Sequence, residues 1–165
     1  MRPKSIYLKI FHFKSLTNMT SKFLTVLVAY CLIGLANNAF AQSNQLTTIE
    51  LKIGIYRIEA ELADTSVARQ TGLMYRSFLP TNSGMLFVIE EKGIHCFFMR
   101  NTKVALSIAF IDDDGKIVNI ADMEPETLNN HCPRSPVRFA LEMNQKWFAQ
   151  RAIGPGTVIQ GLPKK

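Results

Sequence analysis

His95-Cys96 and His131-Cys132 each place an imidazole beside a thiol, a combination that could bind a metal or activate a cysteine nucleophile. Their spacing opposes the metal reading. Zinc sites draw ligands from C-x₂₋₄-C or H-x₃₋₅-H knuckles, whereas adjacent residues of a strand point to opposite faces. A nucleophilic Cys132, with His131 or His95 as base and Glu142 or Asn101 orienting it, lies in no protease signature.

Arg76, Arg100 and Arg138 form a second constellation, each set among apolar residues. A guanidinium grips a carboxylate or phosphate through two parallel hydrogen bonds. These arginines could equally lie on outer strand faces or pair with Glu61, Glu90, Asp122 or Glu142. The ligand-binding candidates are Arg76, Arg100, Asn101, Thr102 and Arg138. Met74, Met85, Met99, Met123 and Met143 lack the M-x-M or M-x-x-M spacing of a copper site and read as core filling. Asp112-Asp113-Asp114-Gly115 lacks the alternating acids of a calcium loop and reads as a hairpin tip. No metal and no cofactor are expected.

The chain of 165 residues has 47% hydrophobic content, enough for one domain with a single core. Its formal charge of +6 is unevenly placed: five of the 19 basic residues and none of the 13 acids fall in residues 1–41, leaving +1 for the remainder. The excess charge is therefore no argument for nucleic acid. The basic segment precedes a 13-residue apolar run, FLTVLVAYCLIGL, and then Ala39-Phe40-Ala41, a small-x-small site. This pattern predicts a signal peptide cleaved after Ala41, with Met1 or Met19 as its start. The run is too short for a membrane anchor, which needs ~20 apolar residues. Tyr30 before Cys31 argues against a lipid anchor. The expected mature protein is periplasmic or secreted and meets the membrane only through its signal peptide.

Export leaves Cys96 and Cys132 as the only thiols of the mature chain. In an oxidising compartment a disulfide is the favoured pairing; two free thiols, or metal or redox chemistry, are the alternatives.

The elements that must position these residues are read from periodicity. Residues 42–47 form a polar lead-in to a single domain over 48–165. Period-two alternation predicts a hairpin over 48–53 and 56–62, and Asp64-Thr65-Ser66 opens a short helix over about 66–74. An apolar strand follows over 85–89, then a strand over 95–100 with His95, Phe97 and Met99 on one face. Strands over 106–111 and 117–120 flank the Asp-Gly turn. The proline-bearing stretch 123–136 is long for a loop and is read as a functional one. A strand over 137–143, a helix from Asn144 to about 152 and a short strand over 157–160 complete the chain. The expected class is α+β: one compact domain, mostly antiparallel and partly barrel-like, with two short helices.

Gly72-Leu73-Met74 with Arg76, Gly84-Met85-Leu86-Phe87, Phe98-Met99 with Asn101-Thr102, Leu106, the Asp-Gly hairpin, Pro125 and Ala140-Leu141-Glu142 occur in this order. Together they resemble the family catalogued as domain of unknown function 192, over roughly 61–159. The resemblance implies a small α+β domain, often exported, and no settled activity. Where the family usually has Pro-Leu-Asp, this chain has Ala105-Leu106-Ser107, which removes a carboxylate that could serve as ligand or proton acceptor.

Without paired carboxylates, a triad or a nucleotide loop, the chain reads as a non-catalytic exported module. It is expected to bind a small ligand or an envelope protein in a cleft between the 98–102 elbow and the 123–136 loop. The alternative is a thiol- or metal-dependent envelope enzyme using His131 and Cys132.

Overall fold

The computed structural model describes residues 45–164; the expected signal peptide, its cleavage point and Cys31 lie outside them. Period-two alternation is realised in β1 (Thr48–Ile53) and β2 (Tyr56–Ala63), which pair antiparallel around Gly54. Helix α1 (Ser66–Thr71) is capped by Thr65, whose hydroxyl accepts from the Ala68 N–H at 3.1 Å. Gly72, at φ +49°, ends it three residues earlier than periodicity suggested, because a positive φ that glycine adopts readily breaks the helical run.

Strand β3 (Ser83–Gly93) runs parallel to β2 and antiparallel to β6 (Val137–Asn144). A parallel pair needs a crossover, which α1 and the following loop supply. Strands β4 (Leu106–Ile111) and β5 (Ile117–Met123) form the hairpin about Asp112–Gly115, and β7 (Ile159–Gln160) adds to β1. In the turn, the Asp112 carboxylate accepts from the N–H groups of Asp114 and Lys116.

The seven-stranded order is β5-β4-β6-β3-β2-β1-β7. The sheet curls into a half-barrel, and its two edges meet at one end. There Ile117 N–H donates to the Thr157 carbonyl at 2.9 Å and Ile159 N–H to the Gly115 carbonyl at 2.8 Å. Gly115 must be glycine for this closure, since a Cβ would stand 2.6 Å from the Ile159 carbonyl oxygen.

One face of the sheet encloses Leu51, Ile58, Leu86, Leu141, Trp147 and Phe148. Arg151 covers that end, its guanidinium 4.2 Å from the Trp147 ring centroid. The other face carries Met85, Phe87, Ile108, Phe110 and Ala140, roofed by Leu73 next to α1 and by Met99.

Two expected elements are absent among the described residues. The 144–152 stretch is a series of turns and a 3-10 turn, Ala149–Arg151, rather than a second α-helix. Lys146 at φ +68° and Ala152 at φ +53° interrupt it. The Asn144 side chain instead ties the stretch to the 79–80 loop, its amide donating to the carbonyls of Leu79 and Pro80. Trp147 and Phe148 are nevertheless buried as periodicity required. The 95–100 stretch is not a strand. It makes a single bridge, Phe97 to His131, because Asn101 at φ +55° turns the chain away. Met99 is still buried, but His95 is exposed and does not share its face.

Candidate functional site

Adjacent residues of β6 face opposite ways, so Leu141 enters the enclosed core and Glu142 points to the roofed face. Glu142 lies in register with Met85 of β3 on one side and Ile108 of β4 on the other. Close approach of β3 and β6 here depends on Gly84, where a Cβ would meet the Glu142 carbonyl oxygen at 2.4 Å. The result is a carboxyl group set among apolar neighbours on a central strand.

That carboxyl is the floor of a cavity of about 710 Å³. Leu73 and Met74 form one wall, Phe87 and Ile89 a second, and the 95–102 segment a third. Phe87 and Phe97 meet edge to face at 5.0 Å between centroids. Glu142 is 5% exposed, and burial pushes its pKa up to about 8, with no neighbouring charge to counter it. At neutral pH it is a neutral acid with both a donor and an acceptor to offer.

The charged groups stand at the rim. Arg69 is committed: it donates to the carbonyls of Asp64 and Val88 and to the Glu90 carboxylate. Arg100 is exposed, lies 5.2 Å from the Phe98 ring centroid and has no acidic partner among the described residues. Thr102 is buried at the cavity wall, its hydroxyl 3.3 Å from the Arg100 carbonyl.

The other ligand-binding candidates, Arg76, Asn101 and Arg138, do not line this cavity. Arg76 is paired with Glu61 through two hydrogen bonds, the longer of 2.6 Å. Asn101 holds the roof together: its carbonyl accepts from Tyr75 N–H at 2.8 Å and its amide donates to the Tyr75 hydroxyl at 3.1 Å. Arg138 lines a second cleft on the far side, 3.8 Å from Asp113, with its Nε buried and without a hydrogen-bond partner.

Cys96 and Cys132 form a disulfide. Cys96 borders the cavity while Cys132 and His131 sit behind the wall. In this state Cys132 has no thiol with which to act as a nucleophile or ligand. Phe97 and His131 exchange two backbone hydrogen bonds of 2.8 Å, Met99 N–H donates to the Thr127 carbonyl, and Glu126 N–H donates to the Thr102 carbonyl. The 123–136 loop thus braces the 95–102 segment from behind and leaves the cleft to α1 and β3. Among the described residues, no group of three His, Cys, Asp or Glu is gathered to hold a metal ion.

Ser107, which stands where an acid was expected, is buried and hydrogen-bonded to Asp122 at 2.5 Å, and it accepts from Lys146 N–H at 2.8 Å. The Lys146 ammonium, and after it the Ser107 hydroxyl, hold the Asp122 carboxyl below its ordinary range. This polar knot ties β4, β5 and the end of β6 outside the cavity.

The family model for DUF192, described as uncharacterized ACR, matches residues 48–161. The chain belongs to the DUF192 family. This DUF192 member is similar to a solved structure from Sinorhizobium meliloti 1021, described as a "putative transcription regulator". Identity there is 27%, coverage 72% of this chain and 97% of that one, and the TM-score 0.70. It is also similar to a protein of unknown function from Novosphingobium aromaticivorans DSM 12444, at 29% identity, coverage of 74% and 91%, and a TM-score of 0.69. The curated proteins contain no significant match.

Proposed function

We propose that this DUF192 domain is an exported, non-catalytic module that binds a small amphipathic molecule in the cavity above Glu142. The observation that carries the reading is an apolar-walled space of about 710 Å³ ending on a buried carboxyl. A few polar groups at the end of an apolar cleft are the usual make-up of a small-ligand site. Leu73, Met74, Phe87 and Phe97 would take the apolar body, and Arg100 would meet a polar end at the mouth. Residues 1–41 supply the signal peptide, and the mature protein works in the periplasm or outside the cell.

The test is a thermal-shift screen of the secreted protein with amines, carboxylates, sugars and peptidoglycan fragments. A ligand at 100 times its Kd adds about 2.7 kcal/mol and raises the midpoint by several degrees. The shift should vanish in Met74→Trp, which fills the cavity. A panel that moves nothing overturns the reading, as does a shift unchanged in Met74→Trp. N-terminal sequencing of the secreted product should begin at Gln42; an intact leader contradicts the export claim.

A further inference from the structure

Glu142 lacks a compensating contact. Burial on an apolar face raises the cost of its charged form, and neither an ion pair nor a donor within the described residues offsets that cost. Around the cavity the charged and titratable groups are Arg69 next to α1's end, Glu90 and Glu91 on β3, and His95 and Arg100 on the third wall. Strands β4 and β6 add none but Glu142 itself. Arg69 is spent on Glu90 and two carbonyls. The carboxyl is therefore complementary to a ligand that brings its own donors. The aromatic rings of Phe87 and Phe97 beside it favour a cation, since a ring face attracts positive charge most strongly where water is excluded.

We propose that the cavity captures an organic amine, its ammonium group paired with the Glu142 carboxylate and its hydrocarbon body packed against Leu73, Met74, Phe87 and Phe97. This rests on the binding reading above and names its ligand class. On binding, the Glu142 O–H bond breaks, its proton passes to solvent, and the carboxylate left behind pairs with the ammonium. No other bond changes.

The experiment is titration calorimetry of the mature protein at pH 7 in phosphate and in MOPS, whose ionisation heats differ and neither of which carries a primary ammonium group, with hexylammonium, hexanol and hexanoate as probes. Hexylammonium should bind at least tenfold more tightly than the other two and release about 0.9 proton, the protonated fraction of a group titrating near 8. In Glu142→Gln both the preference and the proton release should disappear. The wild-type proton count stands independently of that variant. Hexanol or hexanoate binding as tightly as the amine, or amine binding without proton release, overturns the amine proposal while leaving the cavity reading intact. If none of the three binds, both fall.

Discussion

Leu141 and Glu142 are consecutive residues of β6 that serve opposite faces of one sheet. Leu141 points into the half-barrel, packed with Leu86, Ala109 and Trp147. Glu142 points to the face roofed by Leu73, Met99 and Phe97, where the cover stops short and leaves the cavity. The enclosed face is filled by side chains from strands that hydrogen-bond to one another across the whole sheet. The roofed face depends on α1 and an irregular segment held by a disulfide. Stability is concentrated on one side of β6 and recognition on the other.

The largest effect that tests this division is truncation on the enclosed face. Leu141→Ala should cost about 2–5 kcal/mol in urea unfolding, nearly independently of pH, because it opens a void with no polar group to titrate. A loss under about 1 kcal/mol would show that the half-barrel does not carry the core.

How much of this division was legible in the sequence follows from the range of the forces involved. Alternation located β1, β2 and β6, and the Asp-Gly turn located β4 and β5, since strand periodicity and turn chemistry are both local. The Cys96–Cys132 pairing followed from there being only two cysteines in residues 42–165. The 95–100 stretch failed because its strand-like alternation has no neighbouring strand to pair with except a bridge at His131. The helix expected from Asn144 failed because Lys146 at φ +68° and Ala152 at φ +53° break the right-handed run, with the Lys146 N–H held by Ser107, a partner 39 residues away. Glu142 was quoted as part of a resemblance and considered as an orienter, but not as a site residue. A charged residue in an alternating strand reads as solvent-facing, and only the roof over that face makes it buried.

The disulfide provides the next test, on the roofed side. Replacing both Cys96 and Cys132 with Ser should cost on the order of 3 kcal/mol through loop closure and should weaken cavity binding more than Leu141→Ala does. Thiol titration of the denatured, unreduced protein should find none free; two free thiols would remove the brace.

The smallest effect lies outside both regions. Ser107→Ala should cost about 1–2 kcal/mol by leaving the Lys146 N–H and Asp122 without their shared partner, with no change in ligand affinity. Altered affinity would mean that the knot and the cavity are coupled.

Glu142 also gives the roofed face a pH signature. Its pKa is raised on folding, from 4.5 to about 8, so between these values the unfolded chain has released a proton that the folded protein keeps. Stability therefore falls as pH rises from about 4.5 to 8 and levels off above. Glu142→Gln should flatten the curve.

The most direct measurement is an NMR titration of the protein carrying ¹³C-labelled glutamate, with the side-chain carboxyl of Glu142 assigned by its loss in Glu142→Gln. A midpoint near 8 is the predicted result. A midpoint at the ordinary 4.5 would mean that the carboxyl is solvated, and the buried acid at the floor of the cavity would be contradicted.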